Sequence, residues 1–212
     1  MTEQERIRFP ATGVLSMERL IELNGALPKY ELDQNVLAAR RSYGGKDRPS
    51  VYLSHCAEDA RIIPHLVLAM RRACPDLYVD WCDPDLSPLA NDQTTRVLLD
   101  RIRSARKFIW LASPAAARST QRHWELGVAA GTKQLNDISI VSLAAAPEDH
   151  PPRGHLRVHQ RLVEDTRKGV PTGNLMGAFR DDMKIPLGVW LTSSGGANTL
   201  AMSPWAVIPI TW

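Results

Sequence analysis

The chain predicts an α/β fold, a doubly wound parallel sheet with helices on both faces. Short apolar runs at 51–54, 77–80, 107–112 and 138–143 alternate with segments whose apolar residues recur at helical spacing. The run Lys107-Phe108-Ile109-Trp110-Leu111-Ala112 is nearly continuous in apolar residues, as a strand covered on both faces reads. The links between runs are short, so the crossovers are expected to be right-handed.

The elements follow in order. Residues 1–48 form an N-terminal extension, helical at Met17 to Leu27 and Leu32 to Ser42 and broken by Gly25 and Pro28. Gly44-Gly45 marks a hinge. Val51 to Ser54 is the first core strand, and Ile63, Leu66, Val67 and Met70 then line one helix face. Leu77 to Asp80 is a second strand, after Pro75. Cys82 to Pro88 is rich in turn formers and reads as a loop. Asn91 or Asp92 caps a helix that turns Val97, Leu98, Ile102 and Ala105 inward.

The third strand is Lys107 to Ala112. Ser113-Pro114 is a helix start, a cap followed by a first-turn proline. Ile138 to Leu143 is the fourth strand. Pro147 to Gly154 reads as a loop, His155 to Lys168 as a helix and Gly188 to Thr192 as a fifth strand. After the flexible link 193–196 the tail is apolar. Its Trp205, Ile208, Ile210 and Trp212 are expected to pack on the core or on a partner.

Composition narrows the classes. A hydrophobic share of 44% with 23% charge is that of an ordinary globular protein. No apolar run approaches the roughly 20 residues of a membrane helix. The opening MTEQERIRF has no signal-peptide core, so a cytoplasmic location is expected. The net charge is only +3, and the basic groups Arg40-Arg41, Arg71-Arg72 and Arg101 to Lys107 fall at helix ends or surfaces. None is interleaved with aromatics into a base-stacking platform, so nucleic acid is not indicated. The three cysteines, Cys56, Cys74 and Cys82, have neither zinc spacing nor an even count.

In open α/β sheets ligands bind beyond the carboxyl ends of the strands, near the switch in strand order. Ser54, Asp80 and Ser113 each stand at such an end, and Glu125 lies on the helix after the third strand. These four are expected to converge on one cleft. Taken singly, each has a plainer role. Glu125 reads as a solvated surface glutamate, Asp80 as a turn residue, Ser113 and Ser119 as helix caps. Trp124 reads as core or interface. His55 and His123 could pair with Glu125, but no zinc motif has that spacing. No GxGxxG turn follows the first strand, which argues against a conventional dinucleotide-binding oxidoreductase.

Four ordered motifs carry a family resemblance: Tyr52-Leu53-Ser54-His55, the strand ending in Asp80, Leu111-Ala112-Ser113-Pro114, and Ser119 with Glu125-Leu126. Over residues 50–145 the chain resembles a Toll/interleukin-1 receptor (TIR) domain, which implies a flavodoxin-like sheet across 49–192. Two features depart from the pattern. Gln121 stands where the family commonly has Trp, and Pro88-Leu89-Ala90 replaces the usual glycine of the BB loop, here 81–91.

Some members of that family cleave NAD, and the resemblance places the catalytic glutamate at Glu125. Breaking the ribosyl bond to a cationic nicotinamide needs no general acid, and oxocarbenium character develops on the ribose. One carboxylate beside the ribose is then a sufficient centre. Ser54 and Ser113 are expected to hydrogen-bond substrate, with Asp80 orienting the loop or a ribose hydroxyl. Trp81 or Trp124 would stack on a ring, and His55 and Ser119 complete the expected substrate-binding set. No cofactor is implied, NAD being the substrate, and no metal. The resemblance also implies self-assembly into a homo-oligomer and, from bacterial relatives, anti-phage defence. Two other readings stand beside it: a TIR scaffold acting by TIR–TIR contact, and a nucleoside ribosyl-transferring enzyme on a similar sheet.

Overall fold

The structure is a computed structural model. It describes residues 15–23, 51–71, 77–80, 83, 85–86, 92–144, 156, 158–167, 170–178 and 184–193. The expected helix at 32–42, the hinge at 44–45, the loop at 147–154, the apolar tail, Trp81, Cys74 and Cys82 all lie outside the described residues.

The strands are β1 (Leu15–Ser16), β2 (Val51–Ser54), β3 (Leu77–Val79), β4 (Lys107–Ala112), β5 (Ile138–Ala144), β6 (Gln160–Arg167), β7 (Val170–Ala178) and β8 (Lys184–Pro186). The helices are α1 (Met17–Leu23), α2 (Ile63–Arg71), α3 (Asp92–Ser104), α4 (Pro114–Arg118), α5 (Thr120–Thr132) and α6 (Leu187–Thr192). The sheet runs β3-β2-β4-β5-β6-β7-β8, and β1 pairs with β5. Every pairing from β3 across to β6 is parallel. Counted from Val51, these five strands have the order 2-1-3-4-5, which is compatible with a flavodoxin-like sheet. The order switches where β2 lies between β3 and β4.

Side-chain alternation along the strands divides the core in two. On one face Val51, Leu53, Leu77, Val79, Ile109, Leu111 and Val141 pack against α1, α2 and α6 through Leu20, Leu66, Met70 and Trp190. On the other face Tyr52, Tyr78, Phe108, Trp110, Ile138 and Ile140 meet Leu98 and Ile102 of α3 and Leu126 and Ala129 of α5. Burying each large apolar side chain contributes about 1.5–3 kcal/mol, so both helix layers are needed to hold the sheet. Tyr52 stacks on Tyr78 at 4.9 Å and on Phe108 at 5.5 Å between ring centroids, a three-strand aromatic row.

Three expectations are corrected. The span His155 to Lys168 is not an α-helix: among its described residues only 156 and 158 are helical, in a 3-10 turn, and β6 occupies 160–167, between parallel β5 and antiparallel β7. The β7 ladder runs along 161–167 and the β5 ladder meets 160–161, and Leu162 and Val163 are both buried, alternating across the strand. Gly188 to Thr192 is helix α6 and not a strand: Leu187, Trp190 and Leu191 are buried at i, i+3 and i+4. Trp190 also donates its Nε1–H to Asn136 O at 2.8 Å, anchoring the helix. Lastly, the sheet is not wholly parallel, since β6, β7 and β8 form an antiparallel meander.

Part of the N-terminal extension is built into the core. Leu20 is fully buried, and Arg19 grips Glu164 of β6 with two nitrogens, at 2.8 and 2.9 Å. Lys107 also departs from its surface reading: its Nζ is buried, 2.5 Å from Asp137 and 5.2 Å over the Trp190 ring.

Candidate functional site

The site begins with the stripe that α5 turns inward. Arg122, Glu125, Leu126 and Ala129 are its buried residues, at the i, i+3, i+4, i+7 spacing of one helix face. Glu125 therefore occupies a core position, and its exposure is 0%. The reading of a solvated surface glutamate is overturned. The helix is separated from α4 by Ser119, which ends one and caps the other by accepting from Arg122 N–H.

A carboxylate placed there must be satisfied internally. The Ser54 hydroxyl, at the end of β2, donates to Glu125 Oε2 at 2.6 Å. Arg122 Nη1 lies 3.0 Å from each carboxylate oxygen. Gln121 Nε2 reaches Oε1 at a weak 3.4 Å. Burial pushes the Glu125 carboxyl above the usual carboxylate range. Arg122 and Ser54 oppose that rise, and Asp80 adds to it. For Arg122, burial works against the charge, but the Glu125 and Asp80 carboxylates outweigh it and raise its pKa.

Asp80 is the second carboxylate. Its Oδ2 is 3.5 Å from Arg122 Nη1, and its Oδ1 is 3.2 Å from His55 Nε2. The Tyr52 hydroxyl, two residues before Ser54 on the same sheet face, is fully buried and has no hydrogen-bond partner among the described residues. Burial raises its pKa, and the charges of Glu125 and Asp80 raise it further.

Ser54, His55, Asp80 and Glu125 thus come together, linked by Arg122. Ser113 does not join them, which corrects the four-way convergence. Its hydroxyl accepts from Ala116 N–H and donates to Asp59 Oδ2 at 2.8 Å, tying the turn after β4 to the turn after β2. Ser119 serves as a cap. His123 points elsewhere: its ring meets Trp110 edge-on at 5.7 Å, and Nδ1 lies 2.9 Å from Ser119 O. Trp124 is 36% exposed on the opposite side of α5 from the buried stripe. Burial raises the Cys56 thiol pKa, which disfavours the nucleophilic thiolate.

The sequence reading missed Arg122, Asp59, Asp83 and Arg101. Arg122 was legible as the i−3 neighbour of Glu125 on the stripe that continues through Leu126 and Ala129. Asp83, in the turn after β3, accepts from the Tyr78 hydroxyl at 3.0 Å and from Arg101 Nε at 3.1 Å, while Arg101 Nη2 takes Asp85 at 2.7 Å. Arg101, read as a helix-end cation, instead clamps this turn to α3. Beside it a cavity of about 340 Å³ is lined by Asp85, Gln93, Val97, Asp100 and Arg101. None of the residues joined to Glu125 lines it.

No family model matches the chain, and no curated protein matches it. Among the described residues no group of histidine, cysteine and carboxylate side chains could hold a metal ion. No described helix is long and apolar enough to cross a membrane.

Proposed function

We propose that the chain is a TIR-type enzyme that cleaves NAD, releasing nicotinamide and leaving linear or cyclic ADP-ribose, with Glu125 as its catalytic carboxylate. One observation carries the reading: a buried carboxylate on α5, the second helix after β4, is hydrogen-bonded to the last residue of β2. That is the place in a 2-1-3-4-5 sheet where such folds bind ligands. A preorganised carboxylate in a water-poor site acts more strongly on a developing oxocarbenium ion than one in water. Ser54 fixes the orientation of the Glu125 carboxylate, and His55 and Asp80 beside it are the proposed holders of the ribose hydroxyls.

Glu125 is enclosed in this conformation, so substrate entry requires an opening. Self-assembly into a homo-oligomer is the proposed trigger, and anti-phage defence the proposed setting. The test is nicotinamide release from NAD by purified protein at low and high concentration, beside Glu125→Gln. Release that rises with concentration and vanishes in the variant is expected. Undiminished release in the variant would remove Glu125 from the chemistry.

The same burial favours a second reading, a non-enzymatic TIR scaffold in which Arg122 and Glu125 only tie α5 to β2. Self-association without nicotinamide release, unchanged in Glu125→Gln, would establish it.

A further inference from the structure

Gln160 opens β6 and is only 4% exposed, yet neither its Oε1 nor its Nε2 has a hydrogen-bond partner among the described residues. A buried amide with both polar atoms unpaired carries the full desolvation penalty of each, and folded cores do not keep such groups unpaired. We infer that one ordered water molecule is bound here as a fixed part of the fold, seated over Gly177 of β7 against the Gln160 amide.

The strand register places it. Leu162, Gly177 and Ile185 are cross-strand partners on β6, β7 and β8, so all three look to one face of the sheet. Leu162 packs on the face covered by α6, and Gln160, two residues before it, shares that face. In this row Gly177 alone has no side chain. A Cβ built on it would lie 3.7 Å from Gln160 Oε1, 3.7 Å from Ile185 Cγ1 and 3.8 Å from Trp190 Cβ, all ordinary contact distances. The backbone of β7 thus leaves room for about one methyl-sized group beside a polar wall, and a water molecule is of that size. Nor does the backbone call for glycine, because φ at Gly177 lies outside the left-handed region. A glycine inside a strand marks the close approach of another group.

The chemistry of the walls selects water. The edge of a primary amide offers an acceptor and a donor side by side. One water there donates to Oε1 and accepts from Nε2–H, and the match holds whichever way the amide is turned. Ile185 and the Trp190 Cβ are apolar, and the Trp190 indole N–H already donates to Asn136 O. An amide supplies no countercharge for an ion, and the room is too small for an organic ligand. The water ties β6 to β7 beneath α6. It is independent of the reading at Glu125, whose helix α5 packs on the other face.

The experiment is a thermal-unfolding cycle on the full chain with Gly177→Ala, Gln160→Met and the double variant. Gly177→Ala puts a methyl group where the water sits and strands the amide, so Tm is expected to fall by about 3 °C or more. Gln160→Met keeps the length of the side chain without its polar atoms. In that background the same alanine is expected to leave Tm unchanged or raise it. A Tm unchanged or raised by Gly177→Ala alone overturns the inference. So does an equal fall in both backgrounds, which is the mark of a steric clash. A direct readout needs only the wild type: the Gln160 Nε2–H protons, assigned by their loss in Gln160→Met, are expected to show a rotating-frame NOE to water of the sign that reports proximity and not exchange. Its absence from the wild type also overturns the inference.

Discussion

The Ser54 hydroxyl donates a 2.6 Å hydrogen bond to Glu125 Oε2 across 71 residues of chain, joining the end of β2 to α5. It is the shortest of the contacts that satisfy this buried carboxylate. Removing it with Ser54→Ala is expected to cost about 1.5–3 kcal/mol, the worth of a hydrogen bond to a charged group. Urea unfolding measures the loss. A change below about 0.5 kcal/mol would mean that the bond contributes little to the folded state.

Glu125 also sets a pH dependence of stability. Burial, the largest cause, raises its folded-state pKa above the ordinary 4.5 despite Arg122 and Ser54. The folded chain therefore holds this proton more tightly than the unfolded chain. The resulting stabilisation is fully present below the unfolded pKa and is lost as pH rises through the folded one. Between those two values the stability of the wild type relative to Glu125→Gln should fall with rising pH. Thermal unfolding of both proteins from pH 4 upward reads this difference. A difference that grows with pH would reverse the assigned direction.

Arg101 holds the turn after β3 through Asp83, whose side chain is fully buried. Arg101→Ala leaves that carboxylate with the Tyr78 hydroxyl as a remaining donor. The expected loss is about 2 kcal/mol, below the 3–5 of a fully buried pair because Arg101 is partly solvated. Limited proteolysis should cut after β3 sooner in the variant. Arg101→Lys should not restore the wild-type pattern, because an ammonium lacks the fork that reaches Asp83 and Asp85 together.

Ser139 gives the opposite case. Its hydroxyl is fully buried on β5 and has no hydrogen-bond partner among the described residues. Ser139→Ala removes an unsatisfied polar group without opening a cavity of consequence. It should be neutral or stabilising, by up to about 1 kcal/mol, in a melting experiment. A clear loss of stability would mean that the hydroxyl is satisfied in solution.

What the sequence determined by itself is the alternation that builds the first four core strands and the helices between them. The apolar residues of α2, the cap and proline before α4 and the unbroken run of β4 are local signals, and each formed as its pattern required. Ser54 and Asp80 were legible as strand ends for the same reason. Only the tertiary structure decided the last third of the described chain. Short segments such as 160–167 and 187–192 have no periodicity strong enough to choose a state. A neighbouring strand edge selected β6, and a space over the sheet fitting Trp190 selected α6. It alone decided the charge of the site as well. A carboxylate three residues from an arginine reads as a surface pair until the helix is rotated onto a sheet. The stripe ending in Leu126 and Ala129 then carries Arg122 and Glu125 out of water, and burial turns an ordinary i, i+3 pair into a buried ion pair.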